Sequence, residues 1–402
     1  MKEKICVKKF SCERDSLRIQ GWMYFPKKAG GEKLKPVIIS HGFMANHKMC
    51  RSYAENFARW GYAAFIFDFC GGCVIGKSEG KSTEMSVLTE TEDLHSVVRY
   101  VQSLDFVNAS ELVLMGCSQG GFVSALLAAR LQEQVKKLIL FYPALCLNDD
   151  ARRGKMVFAK FDPSDIPDVI QCGPMKLGKC YVEAVINMDI MKEISSYRGP
   201  VCIIHGDGDS LVKLEYSEKA IAAYRDVEKK NGTGDKGLLK KQLFVLQGAG
   251  HGFNKIADYH AMNIVEQFLG GFSEIMQICV RITSRSVEKE NGLKVERAKF
   301  AGNAEGPFFS GKIQEGAEDV QKWKGRKPVS LSSDYVIKGP DSSGERKKIS
   351  VSNFSEDGKI WRRTVTTDSK ALRDFGIETQ CEMVMEYRKD GPFIRVFTKM
   401  PL

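Results

Sequence analysis

No stretch of this chain is apolar for long enough to cross a bilayer. The longest nearly continuous run, Leu138 to Leu147, falls far short of the roughly 20 residues a spanning helix needs, and Pro143 interrupts it. A helical membrane span is not expected. The start, Met1 to Phe10, alternates charged and apolar residues where a secretory signal would need a continuous apolar segment, so the expectation is a cytoplasmic protein. Cysteine is plentiful, with twelve residues, but a regular framework is missing. Cys70-Gly71-Gly72-Cys73 is the one close pair. A second pair with metal-ligand spacing is absent, and the flanks do not resemble a thioredoxin-like helix N-terminus. Free thiols in a reducing compartment, with no metal site, are the expectation.

Charge of one sign is never concentrated either. The net charge is +10, yet residues 281–402 hold 24 Lys and Arg against 18 Asp and Glu, so the excess is spread along the chain. The densest basic run, Lys322, Lys324, Arg326 and Lys327 around Trp323, reads as a solvated loop. No nucleic-acid module accompanies it, and a nucleic-acid partner is not expected.

What remains is an ordinary globular composition, 43% hydrophobic and 27% charged, over 402 residues, a length that suits two domains. Up to Gly271, short β-rich apolar runs at Val37, Ala63, Leu112, Leu138, Val201 and Leu243 alternate with amphipathic stretches. That alternation predicts a doubly wound α/β domain with a parallel sheet. After Gly270-Gly271, strand-like segments follow one another, separated by Asn291-Gly292, Asp357-Gly358 and Asp390-Gly391. The division predicted is an α/β domain over 1–272 and a small antiparallel β-barrel over 273–402.

Gly116-Cys117-Ser118-Gln119-Gly120 fits G-x-S-x-G, a pattern that ordinary Gly and Ser frequencies produce in roughly one chain of this length in seven. Its context gives it weight. A buried strand runs into it and a helix leaves it, and a strained strand-to-helix turn needs small residues on both sides of a nucleophile. Ser118 is the candidate nucleophile.

A serine hydroxyl needs a base, and the base needs an acid to orient it. Of six histidines only His251, in Gly248-Ala249-Gly250-His251-Gly252, follows a strand in the expected place. Asp207 and Asp209, after the strand at Val201, compete for the acid role. Asp209 is preferred because it lies deeper in the turn, leaving Asp207 to brace the loop. The order Ser, Asp, His is that of the α/β-hydrolases. Two backbone N–H donors must also face the developing oxyanion, and Gln119 after the nucleophile and Phe43 in the early Ser40-His41-Gly42-Phe43 loop are placed to supply them.

With these four loops, residues 1–271 resemble the bacterial cinnamoyl or feruloyl esterases. Phe67-Asp68-Phe69-Cys70-Gly71-Gly72, Lys77-Ser78-Glu79-Gly80-Lys81 and Met85 to Asp93 carry the likeness further. The resemblance implies a lid-like insertion, about 145–197, in which Asp150 and Tyr181 fall at positions that hydrogen-bond the ring hydroxyls of a hydroxycinnamate. The alternative is that both hold the insertion together. Val157 stands where some members have a polar Gln. The second domain is similar to a family of small lipocalin-like barrels of unknown function, through Gly302 to Pro307, Phe309 to Ile313, Gly316 to Asp319 and Phe393 to Phe397.

The expectation is therefore a serine carboxylic-ester hydrolase that needs no cofactor and acts on a small-molecule ester of a hydroxycinnamoyl or related acid. Homo-oligomerisation is compatible with it. A peptidase or thioesterase would use the same triad, and a ligand-binding or assembly role for the barrel is the reading of another class.

Overall fold

In the computed structural model, residues 4–27, 31–230, 237, 239–358, 361–388 and 391–399 are described. The chain divides between Val265 and Glu266 into two units.

The first unit is built on an eight-stranded sheet. In chain order its strands are β1 (Ile5–Arg14), β2 (Leu17–Pro26), β3 (Pro36–Ser40), β4 (Ala63–Phe67), β5 (Val113–Cys117) and β6 (Lys137–Phe141), with two later strands at Val201–Gly206 and Lys241–Leu246. Every residue of β3, β4 and β5 is buried, as expected for parallel strands covered on both faces. β1 and β2 differ. They form an antiparallel hairpin at one edge, joined at Asp15 (φ 48°) and Ser16 (φ 68°), and the charged, half-exposed texture of β1 hides it in the sequence.

Helices α1 (Arg51–Arg59), α2 (Val87–Gln102) and α3 (Gln119–Leu131) pack on this sheet. The reciprocal hydrogen bonds of Ser86 and Thr89 cap the start of α2. α3 is buried from Gln119 to Ala128, which its almost unbroken Gly, Ala and Leu content permits. The interval after β6 carries further elements whose apolar residues join the same core. It contains α4 (Leu147–Arg152), the hairpin β7 (Lys155–Met156) and β8 (Ala159–Lys160), the hairpin β9 (Val169–Cys172) and β10 (Met175–Gly178), then α5 (Lys179–Ile186) and α6 (Ile190–Ser195). The chain then returns through β11 (Val201–Gly206), α7 (Glu215–Lys230), β12 (Lys241–Leu246) and α8 (Lys255–Leu269). The sheet order is β1-β2-β4-β3-β5-β6-β11-β12, parallel from β4 onward.

The second unit is a nine-stranded antiparallel sheet. Its strands are β13 (Phe272–Glu290), β14 (Leu293–Glu305), β15 (Ser310–Ile313), β16 (Glu318–Lys324), β17 (Lys327–Pro340), β18 (Arg346–Ser355), β19 (Arg362–Thr367), β20 (Cys381–Arg388) and β21 (Gly391–Lys399), with the short helix α9 (Lys370–Asp374). Pairing runs β19-β18-β17-β15-β14-β13-β21-β20, and β16 also pairs with β14 and β17. One face buries Ile278, Ala304, Ile337, Ile349 and Val396. Asn291 (φ 51°) and Gly292 (φ 79°) make the tight turn between β13 and β14.

The antiparallel sheet is as expected, its closure into a barrel is not shown, and one expectation changes here. The ladder ends at β19 and β20 with no backbone pairing between them among the described residues. A side chain spans the gap instead, as Arg363 Nη1 donates to the Cys381 carbonyl at 3.4 Å. The basic run at 322–327 is not a loop. Lys322 and Lys324 belong to β16, Gly325 (φ 62°) turns the chain, and Trp323 stands opposite Pro328. Asp390, one of the expected turn residues, lies outside the described residues.

None of the twelve cysteines is joined in a disulfide. Among the described residues, no helix is long and apolar enough to cross a membrane.

Candidate active site

The site is assembled at the carboxyl ends of the parallel strands. β5 runs into Ser118, which takes φ 53° and ψ −118°, a conformation that side chains adopt only where the surroundings impose it. The surroundings are glycines. A Cβ on Gly116 would lie 2.1 Å from the Gly120 carbonyl oxygen, and one on Gly120 would lie 2.4 Å from both the Ser40 and His41 oxygens. The elbow can close only without those side chains. It leaves Ser118 at the N-terminus of α3, whose first N–H groups have no partner within the helix.

His251 Nε2 lies 2.9 Å from Ser118 Oγ, and His251 Nδ1 lies 2.7 Å from Asp209 Oδ2. The carboxylate fixes Nδ1 as the donor, which leaves Nε2 free to accept the serine proton. Asp209 is buried and fully engaged. Its Oδ1 accepts the Leu211 and Val212 N–H groups, each at 2.9 Å, and its Oδ2 also meets His205 Nε2 at 3.1 Å. Burial acts to raise its pKa, but the hydrogen bonds from His205, His251 and Val212 prevail and hold the carboxyl below its ordinary range. Asp207 faces elsewhere, accepting the Gly248 N–H at 2.5 Å.

Phe43 and Gln119 flank the serine. The Gly42 position is so close that a Cβ there would come within 3.2 Å of Ser118 Cβ. His41 steadies this loop, donating from Nδ1 to the Gly42 carbonyl at 2.8 Å and accepting the Phe69 N–H on Nε2 at 3.2 Å. With Asp68 and Cys73 it forms a group whose donor atoms lie within 4.8 Å of one another. Asp68 is already committed to the His47 ring and the Lys77 N–H. The group ties the 68–77 loop to the loop of His41.

Beside Ser118 and His251 lies a cavity of about 300 Å³. Phe43, Met44, Leu147, Val157 and Phe158 make its wall largely apolar, and Asp150 and Lys155 bring charge to it. Asp150 is held by Arg153 at 3.3 Å. Tyr181 is not on this wall. It is buried, and its hydroxyl donates to Gln119 Oε1, so the expected contact with substrate is replaced by a contact behind the elbow.

Two residues of the site escaped the sequence reading. Glu90 is buried and accepts Gln119 Nε2 at 2.7 Å, and burial pushes its carboxyl up to about 8. Tyr142 takes φ 36° and packs its ring 4.7 Å from that of His251. Glu90 lies within the Met85 to Asp93 stretch that carries the likeness but has no mark of its own there, and nothing in the sequence signals Tyr142.

Residues 31–170 match the family model described as serine aminopeptidase, S33. That range contains Phe43, Ser118, Gln119 and Asp150 but neither Asp209 nor His251. Among solved structures, the chain is similar to Est1E from Butyrivibrio proteoclasticus with ferulic acid bound, at 27% identity and a TM-score of 0.57, covering 65% of this chain and 98% of that one. Curated relatives match in part. The quorum-quenching protein AidA of Acinetobacter baumannii is 30% identical over 21% of this chain and 28% of its own length. The uncharacterised protein YfhR of Escherichia coli O157:H7 is 25% identical over 51% and 64%. The chain thus spans less than two thirds of these relatives' length. The first unit has the α/β-hydrolase fold, and a separate antiparallel β-sheet unit follows it.

Proposed function

We propose that the first unit is a serine hydrolase of carboxylic esters that works through an acyl-enzyme. The observation that carries this reading is the line from Ser118 through His251 to Asp209, at 2.9 and 2.7 Å, with the serine strained at a helix N-terminus. Ser118 Oγ attacks the ester carbonyl as its proton passes to His251 Nε2, and Asp209 stabilises the imidazolium that results. The N–H groups of Phe43 and Gln119 hold the oxyanion. Collapse breaks the C–O bond, and His251 returns its proton to the leaving alcohol. Water then repeats the sequence on the acyl-enzyme and frees the acid.

The cavity's size, at the lower end for small-molecule sites, and its apolar wall support a compact aromatic acyl group such as a hydroxycinnamoyl. Likeness to a protein seen with ferulic acid favours the same class. Asp150 would accept a ring hydroxyl, whereas Tyr181 would act through Gln119. The family model's description favours a second reading, an aminopeptidase with the same triad. For the second unit we infer a lipocalin-like curl, supported by the Arg363 bridge between β19 and β20.

A panel of methyl hydroxycinnamates, short acyl esters, acyl thioesters and aminoacyl amides decides between these readings. We expect kcat/KM highest for the hydroxycinnamates. Preference for the amides would establish the peptidase, and equal rates on all four would remove both selectivities.

A further inference from the structure

The second unit carries a groove of about 1010 Å³, the size of a generous small-molecule cleft. Four cations line it, Arg281, Lys312, Lys338 and Arg346, against one acid, Glu305. All four are exposed, and none forms an ion pair among the described residues. Their neighbours in the same unit do pair: Arg297 with Glu290 and Glu318, Lys347 with Glu345, and Arg395 with Glu274 and Glu386. The deficit of acid is local to the groove.

Strand register sharpens this. Lys312 of β15 stands directly opposite Lys338 of β17, and Lys338 directly opposite Lys348 of β18. Opposed residues share a face, and like charges so placed destabilise a sheet. With strands about 4.8 Å apart, the three ammonium groups form a row on the order of 10 Å long. Arg346, opposite Pro340, and Arg281, two residues from Cys279 in the row of Asn303 and Lys312, lie on that same face. Phe393 is the aromatic residue in the wall, and the Arg388 guanidinium covers its ring at 3.2 Å. No open aromatic face is left there for a base to stack on.

We propose that this groove binds a compact multivalent oxyanion, a ligand carrying several phosphate or carboxylate groups, whose charge offsets the opposed lysines. The proposal stands apart from the ester-hydrolase reading.

Calorimetric titration of the full-length protein with sodium tripolyphosphate, with citrate and with a short single-stranded oligonucleotide tests it. We expect saturable binding of tripolyphosphate, citrate or both, the stronger of the two identifying the source. In Lys312→Gln/Lys338→Gln the affinity falls about tenfold or more. Lys33→Gln/Lys136→Gln, with the same loss of charge in the first unit, binds as the wild type does. Lys312→Arg/Lys338→Arg, which keeps the charge if the glutamine variant fails to fold, also retains binding. No saturable binding of either small anion overturns the proposal. So does equal weakening in both glutamine variants, or binding of the oligonucleotide alone.

Discussion

Asp209 is the most heavily engaged acid of the site, with one oxygen on two backbone N–H groups and the other between His205 and His251. An amide in its place would put donors against donors and favour the wrong imidazole tautomer. Asp209→Asn is therefore expected to lower kcat by about 10³ to 10⁴, while Asp207→Asn stays within roughly tenfold, since it loses one hydrogen bond to Gly248. Steady-state kinetics of the two variants test the assignment, and the reverse order would transfer the acid role to Asp207. Glu90 makes a second prediction at this scale. Its folded pKa, about 8, exceeds the unfolded value, so the fold binds its proton more tightly. Its contribution to stability is fully present below the unfolded pKa and is lost as pH rises through about 8. Glu90→Gln keeps an acceptor for Gln119 and removes the titration. Urea unfolding of the variant should show a weaker fall in stability between pH 5 and 8 than the wild type, a difference on the order of a few kcal/mol. Equal slopes would mean that Glu90 is not buried as an acid.

At the scale of elements, the elbow between β5 and α3 is where sequence and geometry are most tightly coupled. Gly120→Ala drives a Cβ against two backbone oxygens that cannot swing aside. It should cost about 3 kcal/mol or more, seen as a fall of roughly 6–12 °C in the Tm of the first unit's transition. Gly61→Ala is the comparison. Its φ is +85° but nothing lies within 4 Å, so only the backbone preference opposes it, at about 1 kcal/mol. Equal losses would show that close approach is not what requires Gly120. The same contrast explains what can be read from sequence. Buried parallel strands such as Ala63–Phe67 are continuous apolar runs and are visible. β1, β14 and β16 are half exposed and charged along their length, and β16 has no buried residue, so local pattern does not separate them from loops.

Across the whole molecule, the legible parts are those fixed by short-range chemistry. Ser118, Asp209 and His251 each follow a strand end, and their order and spacing are enough to nominate them. Tyr181 and Glu90 depend on packing of α2 with α3 and α5, a long-range arrangement. Tyr181 therefore turned to Gln119, and Glu90 went unmarked. The +10 charge reads as diffuse from composition, and only strand register brings Lys312, Lys338 and Lys348 into one row. The proposed activity depends above all on a covalent acyl-enzyme at Ser118. Intact-mass and peptide mapping after treatment with a fluorophosphonate, beside ester hydrolysis by Ser118→Ala, addresses it directly. One adduct is expected, on the peptide holding Ser118, with a loss of turnover of about 10⁴ or more in the variant. Labelling at another residue, or hydrolysis that survives in Ser118→Ala, would contradict it.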